Sequence, residues 1–410
     1  MPPIDASPAS VAANTQGSRG EILAAFPKLG LTSFGGPIAH LGYFREEFVT
    51  RRKWIDDGGY ADLVALCQFL PGPASSQVGF ALGLQRGGPL GALAAWVGFT
   101  LPSAVLLVLF AMGAAAISDP LGTGVLHGLK VVAVAIVAQA VWGMARSLCP
   151  DRERAGIAVG AVLMSVFVGG ATGQLGAILL GGLAGVWLCR GAGAASSGGG
   201  LHFPVSRRGG IIALILFFVL LIGLPAAMVS MPSQALAVFD AFFRAGALVF
   251  GGGHVVLPLL EAGVVAPGWV SPDAFLAGYG AAQAVPGPLF TFAAYLGFVL
   301  DPAPNGLIAA ALALAAIFLP GFLLLMGVLP FWNGLRARPS IRAPMAGANA
   351  AVVGLLGAAL YDPVWTGTIL RAEDFALALV CFVALTAWKC PPWIVVLIAA
   401  IGGAAFAWGA

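Results

Sequence analysis

The sequence predicts an all-α polytopic membrane protein made of two inverted-topology homologous repeats with broken or re-entrant helices. Three observations predict it. Apolar residues fill 60% of the 410 positions and charged ones 9%, with a mean hydropathy of +0.96. So little polar surface cannot cover a soluble globule of this size. The same landmarks occur twice in the same order, and basic and acidic loop residues change places between the two copies.

Several runs are long enough to cross a hydrocarbon core of about 30 Å as helices: Leu90–Ala115, Ile211–Met231, Leu307–Leu329 and Pro391–Trp408. Alternating short strands are absent, which argues against a β-barrel. A net charge of +3 is too small to imply nucleic acid. The five cysteines (Cys67, Cys149, Cys189, Cys381, Cys390) form no CxxC pair, so neither a zinc site nor a disulfide framework is expected. Nothing resembles a flavin, haem or iron–sulfur site; no cofactor is expected, and the chain is not read as an enzyme.

Taken in order, residues 1–19 are polar and lack an apolar core followed by a cleavage site, so they read as a cytoplasmic tail and not a signal peptide. The first repeat covers 20–190. Gly20–Phe34 and Ile38–Thr50 are too short to span and meet at Gly35-Gly36-Pro37, like the halves of a hairpin. A second pair, Tyr60–Phe69 and Ala74–Leu84, meets at Pro71-Gly72-Pro73, where glycine allows a tight bend and proline suits the first turn of a new helix. Crossings follow at about 88–115, 125–147, 155–169 and 173–189. Residues 191–210, rich in Gly and Ser, form a cytoplasmic linker. A single crossing at 211–231 leads to the second repeat, 232–410, with hairpins at 237–266 and 272–300 and crossings near 306–331, 344–361, 373–388 and 391–409.

The duplication aligns Lys28 with Arg244, Phe34-Gly35-Gly36 with Phe250-Gly251-Gly252, Trp54 with Trp269 and Gln68 with Gln283. It also aligns Pro71-Gly72-Pro73 with Pro286-Gly287-Pro288, and Leu101-Pro102-Ser103 with Leu319-Pro320-Gly321. Loop charge then sets orientation. Arg51-Arg52-Lys53 stands opposite Ala266-Pro267-Gly268, Arg86 opposite Asp301, and Asp119 opposite the loop holding Arg336, Arg338 and Arg342. By the positive-inside tendency the copies face opposite ways, with the N-terminus cytoplasmic and the C-terminus periplasmic. Inverted repeats with interrupted helices near mid-membrane suit an alternating-access transporter.

A helix restarting at a break presents free N–H groups and the positive dipole end, which suits an anion. The chain has such points at Gly36-Pro37, Gly72-Pro73, Gly252-Gly253 and Gly287-Pro288; ordinary kinks between packed helices are the alternative. Lys28 and Arg244 lie within apolar half-helices and need an acid, water or an anion. Asp240, four residues before Arg244, offers an intrahelical pair, which makes Lys28 the better ligand candidate. Gln68 and Gln283 precede the second break and Gln77 follows it in the first copy. Each could donate to an oxyanion or only bond a carbonyl freed at the break. His40 and His254 follow the first breaks at unequal offsets, as anion donors, proton carriers or packing residues. Lys130 and Gln139 could line the pathway. Arg45 to Lys53 reads as a cytoplasmic interface anchor, and Asp56, Asp57 and Asp62 as helix caps.

At FGGPIAHLGYFREEFVTRRKW (34–54), LPGPASSQVGFALG (70–83), VFGGGHVVLPLL (249–260) and AQAVPGPLFTFAAYLG (282–297) the sequence resembles the chromate ion transporter family in its long, two-domain form. The resemblance runs from about Glu21 to the C-terminus. Motif positions carried over are Lys28, Phe34-Gly35-Gly36-Pro37, His40, Arg45, Trp54, Pro71-Gly72-Pro73 and Gln77. In the second domain they are Phe250-Gly251-Gly252-Gly253, His254, Gln283, Pro286-Gly287-Pro288 and Phe290. The resemblance implies efflux of chromate across the bacterial inner membrane, chromate resistance, and handling of the similar dianion sulfate.

The expectation is therefore a secondary transporter exporting chromate, with a sulfate or other oxyanion transporter and an anion channel as rivals. A homodimer and a coupling proton or sodium ion stay open.

Overall fold

The computed structural model describes residues 19–34, 36–115, 120–168, 170–189, 203–250, 253–335 and 339–409, and these are helical with no strand among them. The first copy comprises α1 (Arg19–Thr32), α2 (Gly36–Phe44, continued by a π turn over Arg45–Arg51), α3 (Asp57–Phe69), α4 (Ala74–Ala115), α5 (Pro120–Leu148), α6 (Arg152–Phe167) and α7 (Gly170–Leu188). Helix α8 (Arg207–Ser230) connects to the second copy: α9 (Gln234–Leu248), α10 (Val256–Leu260), α11 (Pro272–Ala284), α12 (Phe292–Val299), α13 (Gly306–Val328), α14 (Trp332–Leu335), α15 (Pro339–Ala359), α16 (Ala372–Thr386) and α17 (Pro392–Gly409). Among the described residues, five stretches are long and apolar enough to cross a membrane: Ala74–Ala114, Pro120–Leu148, Arg207–Ser230, Gly306–Phe331 and Ala343–Trp365. The first of these is two pieces, because Gly88 at φ 63, ψ −158 breaks α4 where the second expected hairpin ends and a crossing begins. The expected N-terminal tail, apart from Arg19, and most of the expected linker lie outside the described residues.

Side-chain contacts show that the short helices form re-entrant hairpins. Gly91 packs on Ile22, Gly98 on Phe26 and Pro27, and Gly30 on Phe99. Residue numbers rise together, so α1 runs parallel to the crossing part of α4 and stops about halfway along it. At the end where α1 starts, Glu21 pairs with Arg86 at 2.9 Å. The guanidiniums of Arg86 and Arg52 lie 5.3 and 5.6 Å from the Trp54 ring centroid. The start of α1, the end of the α2 turn and the end of the first part of α4 thus share one end of the bundle. Each hairpin returns to the side it entered from. In the second copy the Asp301 amide donates to the Trp269 carbonyl at 2.9 Å, gathering the corresponding hairpin ends.

The two copies are inverted. Trp96 faces Phe318 and Phe322, with ring centroids 5.8 and 6.0 Å apart, whereas Ala104 and Val108, further along α4, cluster with Ala310 and Leu314. Numbers rise on one helix as they fall on the other, so α4 and its counterpart α13 are antiparallel. The copies also exchange partners: α5 packs on α16 and α17, and α15 on α6 and α7. Both seams are small-residue crossings that let backbones approach closely, Gly124 and Gly128 against Ala399 and Gly403, and Gly181 and Gly185 against Ala343 and Gly347.

Candidate anion site at the crossed helix breaks

Halfway through the bundle the breaks of one copy meet those of the other. The Gly72 amide donates to the Val249 carbonyl at 2.7 Å, and the Gly287 amide donates to the Ser33 carbonyl at 2.8 Å. Gly72 aligns with Gly287 and Ser33 with Val249, so the exchange is reciprocal, as a twofold relation requires. Both glycines sit at positive φ, 117° and 98°, which an L side chain rarely adopts. The loops are further tied to the opposite copy. The Ser103 hydroxyl donates to the Pro286 carbonyl, and Gln77 Nε2 donates to the carbonyls of Pro71 at 3.0 Å and Gly321 at 2.9 Å. Ser103 and Gly321 are themselves aligned positions.

A cavity opens on either side of this crossing, and Pro37 lines both. The first, about 560 Å³, includes Gly36, Pro37, Gln139, His254, Gln283, Gly287 and Lys389. The second, about 550 Å³, includes Pro37, Gln68, Gly72, Gly253, Ser147 and Asn349. Of the candidates named from sequence, Gly36, Pro37, Gln68, Gly72, Gly253, His254, Gln283 and Gly287 are thus brought together. Gly35, Gly251 and Gly252 lie outside the described residues. Among the described residues Gln283 Nε2 is buried with no hydrogen-bond partner, His254 Nδ1 is 2.7 Å from the Tyr279 hydroxyl, and Gln139 lines the first cavity and donates to the Leu385 carbonyl at 3.4 Å.

Other candidates are placed elsewhere. Lys28 is exposed on α1 and lines neither cavity; α1 turns that side away from the crossing. Arg244 holds Asp240 at 2.8 Å and donates to the Leu221 carbonyl at 3.2 Å, so the intrahelical pair is the one formed. His40 is buried, 3.1 Å from the Ser33 carbonyl and 3.4 Å from the Ser75 hydroxyl, and acts as a brace between the two hairpins. Gln77 is consumed by carbonyls, as one of its two readings anticipated. Pro73 packs near Gly321, and the Pro288 carbonyl accepts from Thr291. Asp56 caps α3 through the Gly59 amide, but Asp57 pairs with Arg45 and Asp62 is buried within α3.

In the second copy the chain resumes as 3₁₀ turns, Gly253–Val255 and Leu289–Thr291. Among the described residues, extended helical N-termini meet the cavities at α2 and α4, through Gly36 and Ala74, and at α17, through Pro392 and Trp393. Lys130, read as a pathway residue, pairs with Asp273 at 2.8 Å, and nearby His127 Nε2 lies 2.7 Å from Asp374. Both contacts join α5 to the second copy toward the end of the bundle opposite Trp54. Lys389 was missed from sequence: a loop lysine at a helix end reads as an interface anchor, and only the folded chain shows that it lines a cavity.

The family model described as Chromate transporter matches residues 20–186 and again 236–404. A chromate transport protein of Pseudomonas aeruginosa is 29% identical over 93% of this chain and 90% of its own. A probable chromate transport protein of Synechococcus elongatus is 28% identical over 93% and 94%, and a chromate transport protein of Cupriavidus metallidurans 29% over 82% and 80%. No solved structure matches. With the family model covering both copies and little else left over, this membrane chain belongs to the chromate transporter family.

Proposed function

We propose that the protein exports chromate from the cytoplasm by alternating access, conferring chromate resistance, with the dianion held where the breaks of the two copies cross. The reciprocal Gly72–Val249 and Gly287–Ser33 bonds support this reading, because they bring the breaks of both inverted copies together, an arrangement that suits exposure to either side by a rocking motion. The cavity lining supports an anion: the first cavity holds amide, imidazole and ammonium groups and no Asp or Glu.

We take the end rich in basic residues as cytoplasmic, and one cavity extends toward it. The second cavity reaches Ser147 and Leu148 at the close of α5, while the Lys130–Asp273 and His127–Asp374 contacts hold the far end together. Leaving an inside-negative cell is downhill for a dianion by about 2.3 kcal/mol per charge per 100 mV, so export needs no coupling ion. Chromate uptake into everted membrane vesicles tests this: saturable uptake driven by an inside-positive potential is expected. Uptake that neither saturates nor depends on the protein would defeat it. Sulfate competition in the same assay separates a general oxyanion exchanger from a chromate exporter.

A further inference from the structure

We propose that Lys389, in the link between α16 and α17, supplies the positive charge that recruits and holds the dianion, and that the anion therefore occupies the first cavity and not its pseudo-symmetric twin. The inference rests on the transport reading above and adds the residue that sets anion affinity.

Four observations carry it. Lys389 lines the cavity that also presents Gln283, His254 and Gly287. Lys389 is exposed and has no acidic partner among the described residues, a state it shares with Lys28, Lys53 and Arg146 and not with Arg45, Arg86, Lys130 or Arg244; of these partnerless cations Lys389 is the one that lines the first cavity. Gln283 Nε2 in the same cavity is a buried donor without an acceptor, a group that an oxyanion oxygen would satisfy. Finally, Lys389 sits at φ 53 and Lys53 at φ 52, left-handed conformations that glycine or asparagine adopts more easily; of the two, Lys389 lines the first cavity.

The second cavity has no such charge, although Asn349 Oδ1 in its lining is also buried without a partner. No charged residue among the described ones lines it, and the α6–α7 link, the counterpart of the α16–α17 link in chain order, reads Phe167-Val168-Gly169-Gly170. A dianion in low-dielectric surroundings is drawn to the side with a compensating charge. Inverted symmetry thus builds two similar chambers, and Lys389 makes them unequal.

The test uses full-length protein in proteoliposomes with chromate as the probe, comparing wild type, Lys389→Asn and Lys389→Arg. Asparagine tolerates the positive φ and removes the charge; arginine keeps the charge. The expected result is a KM for chromate raised about tenfold or more in Lys389→Asn with a nearly unchanged maximal rate, and rescue to near the wild-type KM in Lys389→Arg. A Lys389→Asn protein with wild-type KM would overturn the inference while leaving the transport reading intact. Wild-type vesicles that carry no chromate would overturn the transport reading itself. Should Lys389→Asn reconstitute poorly, equilibrium binding of radiolabelled chromate to the detergent-purified variants gives the same answer: about tenfold weaker binding is expected, and equal binding contradicts the assignment.

Discussion

The amide of Gly287 donates to the carbonyl of Ser33 at 2.8 Å, joining the two copies of the chain at their breaks. With its counterpart from Gly72 to Val249, at 2.7 Å, it means that neither break is completed within its own repeat. A carbonyl freed where a half-helix stops must find a donor inside the membrane. Here the donor comes from the other copy, so the hydrogen bonding that satisfies the breaks also holds them together.

Replacing Gly287 by alanine should be severely damaging. Its Cβ would collide with the Ser103 hydroxyl and approach the Phe99 carbonyl to 3.3 Å, at a φ of 98°. The expected loss is about 2–5 kcal/mol from backbone strain and overpacking, read as a lowered melting temperature in detergent. Gly72→Ala meets Gly321 Cα and Gln77 Nε2 at 3.1 Å and should cost less. A Gly287→Ala/Ser103→Ala pair should recover part of the loss, since it removes the colliding hydroxyl.

Arg244 is expected to matter for folding and not for anion affinity. Removing it leaves Asp240 buried and unpaired, at a cost of about 3–5 kcal/mol, because the Asp240 side chain is only 10% exposed. Arg244→Leu should therefore accumulate poorly, and Arg244→Leu combined with Asp240→Leu should restore expression with a chromate KM near wild type. A double variant that folds yet has lost chromate affinity would return Arg244 to the ligand set.

Lys28 and Gln283 should separate cleanly in transport kinetics. Lys28→Ala, on the outer side of α1, is expected to leave the chromate KM unchanged. Gln283→Leu removes a buried donor from the cavity and is expected to raise KM about tenfold. Initial rates in proteoliposomes over a range of chromate concentrations check both.

The hairpin end around Glu47 should loosen in acid. Burial pushes this carboxyl up, but the hydrogen bond and charge of Arg52, with the charges of Arg51 and Lys28, outweigh it and hold it below its ordinary value of 4.5. A carboxyl depressed in the folded state stabilises fully above that ordinary value, and its contribution is lost as pH falls through the lower folded value. Hydrogen exchange across residues 45–55 should thus be flat from neutral pH down to about 5, after correction for the intrinsic rate, and protection should drop below pH 4.5. Glu47→Gln should remove that step.

Much of this architecture was legible because its cause is local. Gly35 to Pro37, Pro71 to Pro73 and Pro286 to Pro288 cannot continue a helix, so the hairpins were visible. Inversion was readable from Arg51 to Lys53 against Ala266 to Gly268, and the antiparallel α4 and α13 agree with it. The Arg244–Asp240 pair was readable from its four-residue spacing. What was hidden is tertiary. No spacing rule shows that α1 points Lys28 outward, that Gln77 and His40 are consumed by freed carbonyls, or that the α16–α17 link folds back onto the first cavity. The partner exchange of α5 and α15 is likewise a property of the assembled bundle, although its Gly-xxx-Gly spacings were in view.

The account stands on the location of the ion. Anomalous diffraction at the chromium absorption edge, from crystals of the protein grown with chromate, would place it directly. The peak is predicted in the cavity bounded by Pro37, Gln283, Gly287 and Lys389. A peak beside Lys28 or Arg244, or none in crystals of protein that transports chromate, would contradict a shared site at the crossed breaks.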